Sequence, residues 1–122
     1  MAKILAVEDE HLVRSLIVET LEGEGHNVLD APDGEEALFI VQGQPDIDLI
    51  VTDIRMPKVD GFALAKSVRA AQPRIALLFM TGYTGASPPQ ELAQEKMLHK
   101  PFAPEELVSA VEAILARRAG QG

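Results

Sequence analysis

The feature that most constrains this chain is an alternation of two patterns. Five short apolar runs, Ile4 to Val7, Val28-Leu29, Leu49 to Val51, Ile75 to Phe79 and Met97-Leu98, are separated by stretches whose apolar residues recur at helical spacing. Uninterrupted runs of this length suit strands buried on both faces. Between them, Val13, Leu16, Ile17, Thr20 and Leu21 form one helical stripe. Ala37, Leu38 and Val41 follow Asp33-Gly-Glu-Glu36, an Asp N-cap with Glu at the third helical position. Leu64, Ala65, Val68 and Ala71 form a third stripe, stopped by Pro73. Leu107, Val111, Ile114 and Leu115 form the last, with Glu105 and Glu106 at its start and Arg117 and Arg118 at its end, as the helix dipole favours. Its N-cap is Ala103, where Ser would serve better by about 1 kcal/mol. Ser87, Pro88 and Gln90 predict a short fourth helix ending near Glu95, after a long, mobile loop.

Five strand-helix units in 122 residues predict one α/β domain, a parallel sheet with helices on both faces. The domain is expected over residues 1–118, with 119–122 a frayed tail. Hydrophobic residues make up 47% of the chain and aromatic residues only 4%, so the core must be aliphatic. There is no cysteine, which excludes disulfides, thiolate metal sites and a cysteine nucleophile. The net charge of −8 argues against a nucleic acid held by its phosphates. The N-terminal apolar stretch is too short for a signal peptide, and no run reaches membrane-spanning length. The expectation is a cytoplasmic protein with no membrane and no nucleic-acid partner.

In such sheets a ligand site lies outside the carboxyl ends of the strands. The residues after the apolar runs are Glu8-Asp9-Glu10, Thr52-Asp53, Thr81-Gly82 and His99-Lys100-Pro101. If those strands are neighbours, three carboxylates, a hydroxyl and an ammonium converge. No Ser–His pair sits at matching positions, and no Gly-rich loop follows the first strand, which disfavours a hydrolase triad, a dinucleotide site and a P-loop. Clustered carboxylates share a proton or hold a cation. Oxygen ligands with room for water favour Mg²⁺, or Mn²⁺, over zinc. The chemistry suggested is phosphoryl transfer onto Asp53, with the metal and Lys100 neutralising charge.

The motifs "VEDE", "TDIRMPKVDG", "MTG" and "KPF", each at its place, make the chain resemble a response regulator receiver domain of bacterial two-component signalling. The resemblance runs from Lys3 to about Arg118 and implies a (βα)5 doubly wound, flavodoxin-like fold with strand order 2-1-3-4-5. It implies that Asp53 is the phospho-acceptor, that Asp9 binds Mg²⁺ directly and Glu8 through a water, and that the Arg55 main-chain carbonyl is a further ligand. Thr81 and Lys100 would contact the phosphoryl group, and the Lys100–Pro101 bond would be cis. A histidine kinase or phosphotransfer protein would donate the phosphoryl group. A protein effector would then read the face built from strand 4, the short helix, strand 5 and the last helix. On this reading the chain is a switch rather than an enzyme, acting only on its own phosphorylation state.

Two departures stand out. The position three residues before the lysine, usually aromatic in the family, is Met97. Tyr83, in "FMTGY", resembles single-domain and hybrid-kinase receivers and is a candidate replacement for that aromatic switch. Arg55 and Tyr83 both flank the path of a hydrolytic water, so their bulk predicts slow loss of the phosphoryl group. His11, His26 and His99 have no partner at ligand spacing. The alternatives are a phosphatase acting through an aspartyl-phosphate, disfavoured by Arg55 where a second acid is needed, and a receiver-like protein-binding module that signals without phosphorylation.

Overall fold

A computed structural model describes residues 2–56, 58–82 and 95–120. Its strands are β1 (Lys3–Val7), β2 (Asn27–Ala31), β3 (Leu49–Asp53), β4 (Ala76–Thr81) and β5 (Lys96–His99). Its helices are α1 (His11–Gly23), α2 (Gly34–Gly43), α3 (Gly61–Ala71) and α4 (Pro104–Gly120). All strand pairs are parallel, and the order is β2-β1-β3-β4-β5. The short helix expected near Pro88 and the loop before it lie outside the described residues.

Alternate strand residues feed two separate cores, as the period of two requires. Leu5, Val7, Ile50, Leu77 and Phe79 pack with α2 and α3 on one face. Ile4, Ala6, Val51, Leu78 and Met80 pack with α1 and α4 on the other. Phe79 carries the main aromatic contact, an edge-on approach by Phe62 with centroids 5.2 Å apart.

The helix starts show which local signals were complete. Asp33 accepts a hydrogen bond from the Glu36 N–H at 2.8 Å, the predicted cap of α2. Asp60 does the same for Ala63 at 2.8 Å at the start of α3. At α4, Ala103 has no side chain to offer, and the Glu106 carboxylate accepts from the Ala103 N–H at 2.8 Å instead. That is the second half of a capping box without the first. The last helix runs to Gly120, beyond the expected end at residue 118, and Arg118 near its end ties it to the sheet. Its guanidinium donates to Asp48 Oδ1 at 2.7 Å and to the Arg74 carbonyl at 3.1 Å.

Asp48 joins four elements at the amino end of the sheet. Its carboxylate accepts from the Lys3 N–H at 2.9 Å, and its own N–H and C=O bond to Lys3 and Ala76. Burial works to raise its carboxyl, but the Lys3 N–H and Arg118 hold it below the ordinary range. Its folded value therefore lies below its unfolded one, so its stabilising effect is present above the unfolded value and lost as pH falls through the folded one. Asp48→Asn should lower stability by about 1 kcal/mol at neutral pH. In urea titrations that deficit should persist down to about pH 4 and fade below it. A deficit that grows in acid would contradict the assignment.

Candidate functional site

Four strand ends meet at the opposite edge. Glu8 follows β1, Asp53 closes β3, Thr81 closes β4 and Lys100 follows β5. Register aligns them: Asp53 lies beside Met80, and Thr81 beside His99. The connections are stitched on. Ile54 N–H donates to Met80 O at 3.1 Å, and Lys100 N–H to Thr81 O at 2.7 Å. The Lys100–Pro101 peptide bond is cis.

Glu8 is 0% exposed and Asp53 8% exposed, while Asp9 is open to solvent. Each of these three residues offers a carboxylate oxygen within 4.8 Å of the others. Lys100 Nζ stands between two of them, 2.6 Å from Glu8 Oε1 and 3.0 Å from Asp53 Oδ2. The second Glu8 oxygen accepts from the Glu10 N–H at 3.1 Å. Burial pushes the Glu8 carboxyl above the ordinary carboxylate range, against the pull of the Lys100 hydrogen bond. Burial acts to lower the Lys100 ammonium, but its bonds to Glu8 and Asp53 prevail and hold it above the usual lysine range.

The donor set consists of hard oxygens on acids of one sign, with one acid facing water, which suits Mg²⁺ and its retained waters. Carboxylates packed this closely need positive charge, and a single ammonium serves two of three.

The loop from β3 to α3 is closed on itself. Gly61 N–H donates to Ile54 O at 2.7 Å. Lys58, at φ 72°, adopts the left-handed region, and its ammonium lies 3.7 Å from Asp33 and 3.6 Å from Glu35. Gly34 lies so close to Val59 that a Cβ there would come within 2.1 Å of the Val59 carbonyl oxygen. The loop after Asp53 is therefore braced against the start of α2. Arg55, in this loop, is exposed.

Glu8, Asp9, Asp53 and Lys100 are thus brought together, and Thr81 is buried at the end of the adjacent strand. Met97 pairs with Phe79 in register and packs against the α2/α3 core. Tyr83 lies outside the described residues. His99 is exposed, His26 accepts from the Ala2 N–H at 3.2 Å, and His11 lies 3.3 Å from Arg14. Sequence reasoning missed Arg14 and named Thr52 only as the residue before Asp53. Thr52 donates to the Asp53 carbonyl at 2.9 Å. Arg14 was masked by its place inside an amphipathic helix, where an arginine reads as a solvated residue.

Fold and site define a class: a doubly wound α/β domain with an acidic pocket and a lysine at the carboxyl edge of its sheet. The chain belongs to the response regulator receiver domain family, which it matches over residues 4–112. It is 38% identical over 122 residues to the transcriptional regulatory protein RprY of Bacteroides fragilis, covering 98% of this chain and 51% of that protein. The chain spans about half the length of the curated relatives it matches. A response regulator receiver domain from Clostridium thermocellum superposes with TM-score 0.89 at 27% identity, over all of both chains. The response regulator TrrA of Thermotoga maritima, in a complex with Mg²⁺ and BeF, gives TM-score 0.83 at 32% identity, over 93% of this chain and 99% of that one. Receivers of this family are signalling switches that interact with histidine kinases or phosphotransfer proteins. Among the described residues, no helix is long and apolar enough to cross a membrane.

Proposed function

We propose that this chain accepts a phosphoryl group on Asp53 from a phosphohistidine of a histidine kinase or phosphotransfer protein, in a Mg²⁺-dependent step. The observation that carries the reading is the convergence of Glu8, Asp9 and Asp53 on one point, with Lys100 bridging Glu8 and Asp53. An Asp53 carboxylate oxygen attacks phosphorus. The P–O bond forms as the P–N bond breaks, and the imidazole leaves with the bonding pair and takes up a proton. Glu8, Asp9, Asp53 and the Arg55 carbonyl would hold Mg²⁺, which supplies the positive charge that lets an anionic donor approach an anionic acceptor. Lys100 neutralises charge on the transferred group, and Thr81 donates its hydroxyl to it. The product adds roughly −1.5 to −2 charges. Thr81 and Lys100 pass that change to β4, β5 and α4, the face offered to a protein effector.

Incubated with Mg²⁺ and a small phosphodonor, the wild-type protein should gain the mass of one phosphoryl group. Asp53→Asn should gain nothing, and neither should wild type in a chelator. No gain in wild type would leave the binding-module reading instead.

The donor's docking place lies next to the acids. Leu12 is 83% exposed and Leu16 48% exposed, a turn apart on α1 directly after the Glu8-Asp9-Glu10 loop. Two large apolar side chains beside a charged pocket suit the apolar side of a helix on the donor protein. Leu12→Glu should slow transfer from any donor protein that charges wild type by about tenfold, a loss of roughly 1.4 kcal/mol. Uptake from the small phosphodonor should be unchanged. Equal losses with both donors would place the defect in the chemistry.

A further inference from the structure

Arg14 is tied to the pocket by contacts that the chemistry above does not use. Its side chain is largely buried, although it lies on α1 in a chain of net charge −8. The guanidinium reaches three ways. Nε donates to Asp30 Oδ2 at 2.9 Å, Nη1 donates to the Glu8 carbonyl oxygen at 2.9 Å, and Nη2 lies 3.3 Å from His11 Nδ1. The Glu8 contact falls where the sheet stops. Glu8 N–H still bonds to Ala31 O at 3.1 Å, but β2 ends at Ala31, and the donor to the Glu8 carbonyl, just past β1, is Arg14 rather than a strand N–H.

The Glu8 carbonyl belongs to the peptide group that leads into Asp9. Fixing that peptide plane fixes the direction of the chain between the two acids. Asp9 is exposed and has no ion pair among the described residues, so the main chain beneath it sets its aim.

We infer that Arg14 is a positioning residue for the acidic pocket: bridging Asp30 on β2 and the Glu8 carbonyl, it orients the Glu8–Asp9 peptide so that both carboxylates face Asp53. Two donors set at fixed angles on a planar group can hold two acceptors at once, which a lysine ammonium on a flexible stem does poorly. This inference rests on the reading of the pocket as a Mg²⁺-assisted phosphoryl acceptor.

The test is Mg²⁺ affinity, read from the amide NMR shifts of Glu8, Asp9 and Glu10, which report only folded molecules. Arg14→Ala should weaken Mg²⁺ binding roughly tenfold, as loss of an outer partner of a metal ligand does. Arg14→Lys keeps the charge and loses the fork, and it should weaken binding to a similar degree. Asp30→Ala frees one arm of the guanidinium and should give a smaller loss in the same direction. Together the last two variants decide the matter if Arg14→Ala does not fold. Wild-type affinity in Arg14→Lys would show that charge alone matters and overturn the inference. Unchanged affinity alongside a lowered melting temperature would reduce Arg14 to a structural tie and overturn it equally. Absence of any Mg²⁺-dependent shift in wild type would overturn the reading of the pocket, and this inference with it.

Discussion

Gly61→Ala should destabilise the protein by about 3 kcal/mol, more than most single substitutions do. A Cβ at Gly61 would stand 2.3 Å from the Asp53 carbonyl oxygen and 2.9 Å from the Ile54 Cα. Both are main-chain atoms, and neither is the end of a flexible side chain that could swing away. β3 is buried along its whole length and pairs on both sides, so it cannot retreat. The start of α3 must lift instead. That breaks the 2.7 Å bond from Gly61 N–H to Ile54 O and disturbs the Asp60 cap. The same movement displaces the main chain of Asp53, so under the proposed function phosphoryl uptake should fall along with stability. Gly43→Ala is the control. It meets nothing within 4 Å and should be neutral or slightly stabilising. Urea midpoints measure both, and a Gly61→Ala midpoint close to that of Gly43→Ala would show that the close approach relaxes at no cost.

Lys100→Met should have an effect of similar size for a different reason. Glu8 is fully buried, and Lys100 is its only ion-pair partner among the described residues. Removing one member of a buried pair leaves an uncompensated charge, at a cost of about 3 kcal/mol at neutral pH. Burial already pushes the Glu8 carboxyl up, and losing the lysine removes the hydrogen bond that pulls it down. The penalty is therefore full where Glu8 is charged and shrinks as pH falls and Glu8 takes up a proton. Two further results should follow. The Glu8→Gln, Lys100→Met double variant should be more stable than Lys100→Met alone, because the orphaned charge is gone. Added Mg²⁺ should recover part of the loss in the single variant by supplying the missing positive charge to the folded state. A Lys100→Met deficit indifferent to both pH and Mg²⁺ would mean that Glu8 is not the group in distress.

The parts of this molecule that were legible in sequence are those governed by short-range periodicity. Ile4 to Val7 and Leu49 to Val51 read as strands because every residue is apolar, and both are buried on each face. β2 was harder. As an edge strand it carries Asn27 and Asp30, and only Val28 and Leu29 stood out in a strand of five residues. β4 ends at Thr81, as its strand-end reading expected, and Met80 and Thr81 beyond the apolar run are buried and still paired. Stripes overstated burial at their margins: Leu16 and Ala71 match the helical spacing but face solvent. The acids and Lys100 could be found because the fold delivers strand ends to one edge whatever the side-chain details. Arg14, Lys58 and Arg118 could not. Each acts across elements, through a long side chain whose reach depends on how two distant segments finally pack.

The Asp48 junction has a practical consequence for anyone who wishes to watch this protein move. Four elements are tied together at the amino end of the sheet, the end farthest from the acids. Any internal displacement on the proposed phosphorylation has to be measured against something, and this junction is the natural origin. A paramagnetic label on the exposed Arg74, whose carbonyl already anchors Arg118, would serve as the stationary reference for distances to labels at the far end.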